Sequence, residues 1–372
     1  MLNPMNETEL AEEVRGATGP LLVQGRGTKA SVLRPVQAAQ TLSTAALTGI
    51  TLYSPHELVM SARAGTTLAE IEATLAEKGQ HMISEPTHLF GAGQSIGGLT
   101  ATNFAGPRRV SGGALRDHVL GVRAVNGFGE ALQFGGRVLK NVTGLDLSKF
   151  LTGSFGTLAV ITEVTFKVLP AAEEVGTVVL RGQDTEAAVA AMSAALGSPF
   201  SVSGAAYLPA TRETLLRIED FASSVEYRCR RLSAQLGGAD ILDTAASQAL
   251  WQDIRDCRPL PQGEALWRIS TPPSAAPGIL RVAETLGLEG MLDWGGGLVW
   301  LTGPADTAAH AALCRAVRQA GGVWWLLRGP EPFRAAVDVL PPEPPALAAL
   351  RQRVAQAFDP RGLFNPLKLR AA

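Results

Sequence analysis

Residues 21–29 read LLVQGRGTK, a short apolar run followed by two glycines, an arginine, a threonine and a lysine. Such a loop leaves backbone N–H groups unpaired and lets an anion approach the main chain, the usual physical reason for glycines beside a phosphate. Two common phosphate loops are excluded by spacing. A Walker loop needs Gly-x4-Gly-Lys-Ser/Thr, whereas Thr28 precedes Lys29 here, with no glycine directly before the lysine. A Rossmann fingerprint needs three glycines opening a helix, and GAGQSIG at 91–97 puts Ile96 at the third position. Taken alone, Gly25 to Lys29 also reads as an ordinary turn between two strands.

Outward from this loop, the pattern predicts a helix over 7–16, a strand over 20–24, then strand, turn and strand, and a helix from Thr67 to Glu77 closed by Gly79. From Gly91 to Gly136 glycine is frequent and helical periodicity brief, which predicts loops and short strands. Residues 157–169, TLAVITEVTFKVL, predict an apolar strand and a partly alternating one. A second block, about 175 to 328, alternates strand-like runs with alanine-rich helices and predicts a sheet with helices on one face. Proline-rich VLPPEPPALAAL then serves as a return linker into a helix and the tail AFDPRGLFNPLKLR.

The 372 residues suggest two to three domains, and 46% hydrophobic with 18% charged residues suits a globular chain with a substantial core. With 33 basic against 34 acidic residues, no global field points to nucleic acid or an anionic membrane surface. Cys229, Cys257 and Cys314 lie far apart and form no CxxC pair or four-thiolate set. The start carries acids where a signal peptide has bases, and no apolar run reaches the ~18 residues of a membrane span. These features predict a cytoplasmic protein, peripheral to the inner membrane only through a partner.

The loop does not stand alone. Strand-GRGTK, GTTLAEIEATLAEKGQ from 65, SIGGLTATNFAGPRRVSGGALRDHVLGVRAVNGFGEALQFGG from 95, KNVTGLDLSKFLTGSFGTLAVITEVTFKVLP from 140 and FDPRGLFNP from 358 resemble, in order and spacing, the FAD-binding fold of the vanillyl-alcohol oxidase and p-cresol methylhydroxylase (PCMH) superfamily. The resemblance implies an α+β chain: a PCMH-type FAD-binding domain of two α+β subdomains over 1–170, a sheet-and-helix cap of substrate type over 171–330, and a C-terminal return to the FAD domain over 331–372. It also implies that Gly25, Arg26, Gly27, Thr28 and Lys29 form the pyrophosphate loop. Ser95, Gly97, Gly98, Thr102, Asn103 and Gly106 would lie along the flavin and ribityl chain. Gly112, Gly156, Thr157, Val160 and Ile161 would close over the isoalloxazine and adenine, and Asn365 with Pro366 would form the returning tail, although Leu367 stands where relatives commonly have glycine. Covalent relatives carry a histidine in the first loop; Thr28 and Lys29 occupy it here, so non-covalent FAD is expected.

Within the superfamily the chain resembles the 2-hydroxy-acid dehydrogenase branch and, in length and in LWRISTPP at 266–273, the E subunits of bacterial glycolate oxidases, which oxidise glycolate to glyoxylate. Active relatives in that branch hold a divalent metal through His-x-Gly-x-Gly-Asn-x-His and a later Glu-His-Gly. The metal orients the hydroxy acid and eases hydride transfer to the flavin. The matching stretch here is DWGGGLVW, 293–300, with Asp293 and Trp300 at the histidine positions and Leu298 at the asparagine; Glu-His-Gly is absent. A carboxylate and an indole do not make a transition-metal site, so no metal is expected.

Three accounts fit. The chain is an FAD-binding subunit working beside a catalytic flavoprotein subunit and an iron–sulfur subunit on a small 2-hydroxy acid; or a free-standing flavin oxidoreductase with Tyr207, Glu213 or Asp338 as base; or a flavin scaffold kept for assembly. Arg268 is the one candidate for a substrate carboxylate, through a bidentate pair, its alternative being an exposed strand arginine. His310 reads as an exposed or capping helix residue. His88 reads as loop packing or as a group near the flavin, and Trp294, Trp300, Trp324 and Trp325 as core or interface anchors.

Overall fold

Three separate segments of the sequence build the first of two units in the computed structural model, which describes residues 1–91, 93–136 and 146–370. This unit comprises Met1–Ala105, Gly113–Ala171 and Pro342–Ala372; the second comprises Gly106–Gly112 and Ala172–Pro341. Residues 140–145 of the KNVTGLDL stretch lie outside the described residues.

In the first unit, Asn6 caps helix Glu7–Gly16 by accepting from the Glu9 amide at 2.9 Å, and Leu10, Ala11 and Val14 turn its apolar stripe inward. Leu21–Gln24 pairs in parallel with Gln40–Ser43. The main sheet is antiparallel, ordered Ile50–Ser54, Val59–Arg63, Val160–Pro170, Val119–Val125, Ala131–Gly135, with Gln80–Met82 also paired to Val160–Pro170. Met60, Ile71, Leu99, Val164 and Phe166 form the centre of its core. The expected pair of strands over 157–169 is one eleven-residue strand, Val160–Pro170. It is buried along most of its length on both sides, so its apolar residues do not alternate, and Thr157 is held in a turn by Ser154. The stretch expected to be loops and short strands also holds helix Ile96–Thr102, capped by Ser95. Its Gly97 and Gly98 conceal it from a propensity reading.

The second unit holds an eight-stranded antiparallel sheet, ordered Asp240–Leu242, Glu174–Leu180, Glu213–Asp220, Gly204–Leu208, Glu289–Asp293, Leu298–Gly303, Ala265–Ser270, Val323–Arg328. Its helices occupy both faces, correcting the one-face expectation. Adjacent residues of one strand point opposite ways: Gly176 faces Cys229 of helix Ala222–Gln235, whereas Thr177 accepts from Trp251 Nε1 of helix Thr244–Arg255 at 3.0 Å. Among the described residues no helix is long and apolar enough to cross a membrane.

His310 is corrected as well. It is 4% exposed, and Trp267 Nε1 donates to its Nδ1 at 3.0 Å, leaving Nε2 to carry the proton toward the Asp338 carbonyl at 3.2 Å. Periodicity could have placed it inside, since Leu313, Cys314 and Val317 of helix Thr307–Gln319 share its buried face. Burial pushes the imidazole below its ordinary 6.5. The folded chain therefore binds this proton less readily than the unfolded chain. Stability from this site is complete above 6.5 and declines as pH falls through the folded value. The urea midpoint should drop between pH 7.5 and 5.5, and His310→Asn should reduce that drop; an equal drop in the variant would assign the acid sensitivity elsewhere.

Candidate flavin cavity

A cavity that opens to solvent lies within the first unit. The strand Leu21–Gln24 delivers the chain into Gly25–Lys29, where Gly27 takes φ +74°, a left-handed conformation open to glycine and strained for most side chains. Among the described residues no acceptor pairs with the backbone N–H of Arg26, Gly27, Thr28 or Lys29. The loop offers those donors on a wall that carries three basic side chains, Arg26, Lys29 and Lys368, and no carboxylate. A polyanion suits that end of the cavity. Leu22, Val23, Ala101, Phe155, Ala159 and Val160 supply apolar wall elsewhere, as a flat ring system requires.

Glycine is needed here for close approach. A Cβ on Gly25 would collide with Ser95 Oγ, and one on Gly97 would lie 2.6 Å from Ala64 Cβ and 2.9 Å from Ala64 O. Asn365 closes the cavity from the C-terminal tail. Its Oδ1 accepts from Val23 N at 2.8 Å, while Nδ2 donates to the carbonyls of Val23 at 3.1 Å, Phe155 at 3.0 Å and Gly156 at 3.3 Å. These features fit the FAD implied by the sequence: donors and cations for a pyrophosphate, apolar walls for an isoalloxazine.

Of the residues carried over for the cofactor, Gly25 to Lys29, Ser95, Gly97, Gly98, Thr102, Gly156, Val160, Ile161 and Asn365 line this one cavity. The others lie elsewhere. Asn103 is the left-handed C-cap of helix Ile96–Thr102, its Oδ1 accepting from Arg116 N at 2.9 Å. Thr157 donates its hydroxyl to Ser154 O at 2.7 Å, and Gly106 and Gly112 belong to the second unit. Sequence reasoning passed over the wall residues Gln24, Thr44 and Lys368, and over Gln94, whose Oε1 accepts from Lys29 Nζ at 2.7 Å. His88 sits 3.2 Å from Glu72 Oε1, outside the cavity wall.

In the second unit Arg268 is 8% exposed, which excludes the exposed-strand alternative. Its guanidinium lies 4.9 Å from the Trp294 ring and that of the exposed Arg109 lies 5.0 Å from it, while Trp294 Nε1 donates to Gly106 O at 3.0 Å. Burial, then the neighbouring Arg109, lowers Arg268 to about 10 against the opposing pull of Asp293, so it stays charged at neutral pH. Asp293 is 2% exposed and Trp300 5%; Asp293 Oδ1 accepts from the Trp294 amide at 2.7 Å. The register sets Trp300 beside Arg268. Trp324 is core at 1% exposure. Of the alternative bases, Tyr207 is spent on the Gln183 carbonyl at 3.0 Å and Glu213 on Arg181.

Comparison with known proteins agrees with this geometry. The FAD binding domain family matches residues 1–135. Glycolate oxidase subunit GlcE of Escherichia coli (strain K12) is 38% identical over 369 residues, 97% of each chain. Glycolate oxidase subunit GlcD of Bacillus subtilis (strain 168) is 28% identical over 209 residues, 55% of this chain and 43% of that protein. Solved alkyldihydroxyacetonephosphate synthase shares the fold, with TM-score 0.72 at 14% identity over 98% of this chain and 75% of its own. With a match to the FAD binding domain family and near-complete coverage of a relative at 38% identity, the chain belongs to the glycolate oxidase subunit GlcE family.

Proposed function

We propose that the chain is the FAD-binding subunit of a multi-subunit glycolate oxidase that converts glycolate to glyoxylate, and that it holds FAD non-covalently in the cavity of its first unit. The observation that carries this reading is the cavity wall itself: three basic side chains, no carboxylate, and a glycine loop whose amides face no partner among the described residues. Bound FAD would supply the electron acceptor. The chain's own residues bind its anionic linker, exclude water with apolar walls and fix the tail through Asn365. Thr28 and Lys29 at the position of the covalent histidine support non-covalent attachment.

The same reading assigns the metal-dependent step to a partner flavoprotein subunit and onward electron transfer to an iron–sulfur subunit. Asp293 and Trp300 are buried in the sheet, and Asp293 accepts from the Trp294 amide and interacts electrostatically with Arg268, which suits a structural carboxylate better than a ligand. Cys229, Cys257 and Cys314 are buried thiols, each raised above its ordinary value by desolvation, a poor environment for thiolate ligands. Arg268 remains the one substrate-contact candidate, and a cytoplasmic location with membrane association through partners belongs to this proposal.

The test is spectroscopic. The purified chain should release FAD on denaturation, and anaerobic glycolate should leave its flavin absorbance unbleached until the partner subunits are co-purified. Prompt bleaching by the chain alone would overturn the accessory assignment in favour of a free-standing enzyme.

A further inference from the structure

Lys29 is an unusual cation for an anion site, because nothing acidic holds it. Its Nζ donates to Gln94 Oε1 at 2.7 Å and lies 5.5 Å from the centre of the Phe90 ring. Gln94 is fully buried, and its own Nε2 is anchored on the Thr87 carbonyl. The side chain that fixes the ammonium is therefore itself fixed, and both of its ends are committed.

The charges around Lys29 do not compensate it. Its own loop contributes Arg26, and the C-terminal tail contributes Lys368, whose Nζ lies 3.4 Å from Ala30 O. The segment before Gln94 contributes His88, paired with Glu72 of helix Leu68–Ala76 at 3.2 Å. Helix Ile96–Thr102 contributes no charge. A half-buried ammonium with a neutral acceptor, an aromatic face and two like charges nearby is poorly solvated until an anion arrives.

We propose that Gln94 positions the Lys29 ammonium for the FAD pyrophosphate, and that the chain takes up one proton from solvent at Lys29 Nζ as it binds FAD. This rests on the cavity being the FAD site. Desolvation lowers the cofactor-free lysine from 10.5 to about 7, so near neutral pH an appreciable fraction lacks the proton. A dianionic linker favours the protonated form, so the lysine titrates higher in the complex. Affinity is then level below about pH 7 and falls, by about tenfold per pH unit, until the value in the complex is reached.

The full-length chain freed of FAD would be titrated with FAD by calorimetry from pH 6 to 9, in buffers of different ionisation enthalpy. The expected result is Kd weakened on the order of tenfold or more between pH 6.5 and 8.5, with proton uptake at pH 8. Lys29→Arg, which keeps its charge throughout, should bind FAD with a flat profile and no uptake. Gln94→Leu should move the start of the decline to lower pH. Riboflavin, which lacks the pyrophosphate, should show no such decline. A wild-type Kd constant from pH 6.5 to 8.5 without uptake would overturn the proposal while leaving the FAD site standing. A sloped Lys29→Arg profile identical to wild type would also overturn it. Absence of FAD binding at every pH would overturn the site reading beneath it.

Discussion

Gly97→Val should yield a chain that purifies without flavin and melts well below the parent. The added Cβ would lie 2.6 Å from Ala64 Cβ and 2.9 Å from Ala64 O, and the same residue's amide donates to that carbonyl at 2.9 Å. Neither the methyl nor the carbonyl is the far end of a flexible side chain. The helix Ile96–Thr102 must therefore withdraw, taking Ser95, Gly98 and Thr102 out of the cavity wall. Overpacking of this kind costs about 1–3 kcal/mol, and the lost site removes the further stabilisation that bound FAD gives. Gly16→Ala is the control, since a Cβ there meets nothing within 4 Å. Absorbance near 450 nm per chain and the melting temperature are the readouts. A yellow Gly97→Val protein of unchanged stability would refute the packing argument.

Asn365→Ala should be the other severe change. The native side chain makes four bonds of 2.8 to 3.3 Å to Val23, Phe155 and Gly156, and it is 4% exposed. Truncation strands buried backbone groups whose desolvation is no longer compensated, each worth about 1–3 kcal/mol. The total should be about 3 kcal/mol or more. The residue also sits at φ +42°, where asparagine is among the better-tolerated non-glycine residues. Asn365→Asp should fare no better, because it replaces the donor facing three carbonyls with an acceptor. Denaturant midpoints and flavin content measure both effects; a midpoint within experimental error of the parent would show that the clamp contributes nothing.

The loop Gly25–Lys29 was legible because glycine spacing and charge act locally, and the order of five motifs carried the rest of the flavin fold. Gln94 and Lys368 were not. Each acquires its role from a neighbour distant in sequence, Lys29 for the first and Ala30 for the second, and no local pattern encodes that register. Asn103 illustrates the converse. Its place beside helix Ile96–Thr102 looks like a cofactor contact in sequence, yet its left-handed cap geometry turns the amide to Arg116. His310 reads as a surface residue, and exposure is one of two readings of Arg268 beside a substrate contact, because charge and polarity usually mean exposure. An indole accounts for each exception: Trp294 beside the guanidinium and Trp267 donating to the imidazole.

The Asn365 clamp also orders events during synthesis. The first unit is interrupted by Ala172–Pro341 and resumes only at Pro342, so a ribosome will have translated the whole second unit before residue 365 exists. Until then the Asn365 side chain is not there to meet Val23, Phe155 and Gly156, and the pocket wall is unfinished. The cavity wall that Asn365 and Lys368 complete is therefore finished only after the second unit has been translated.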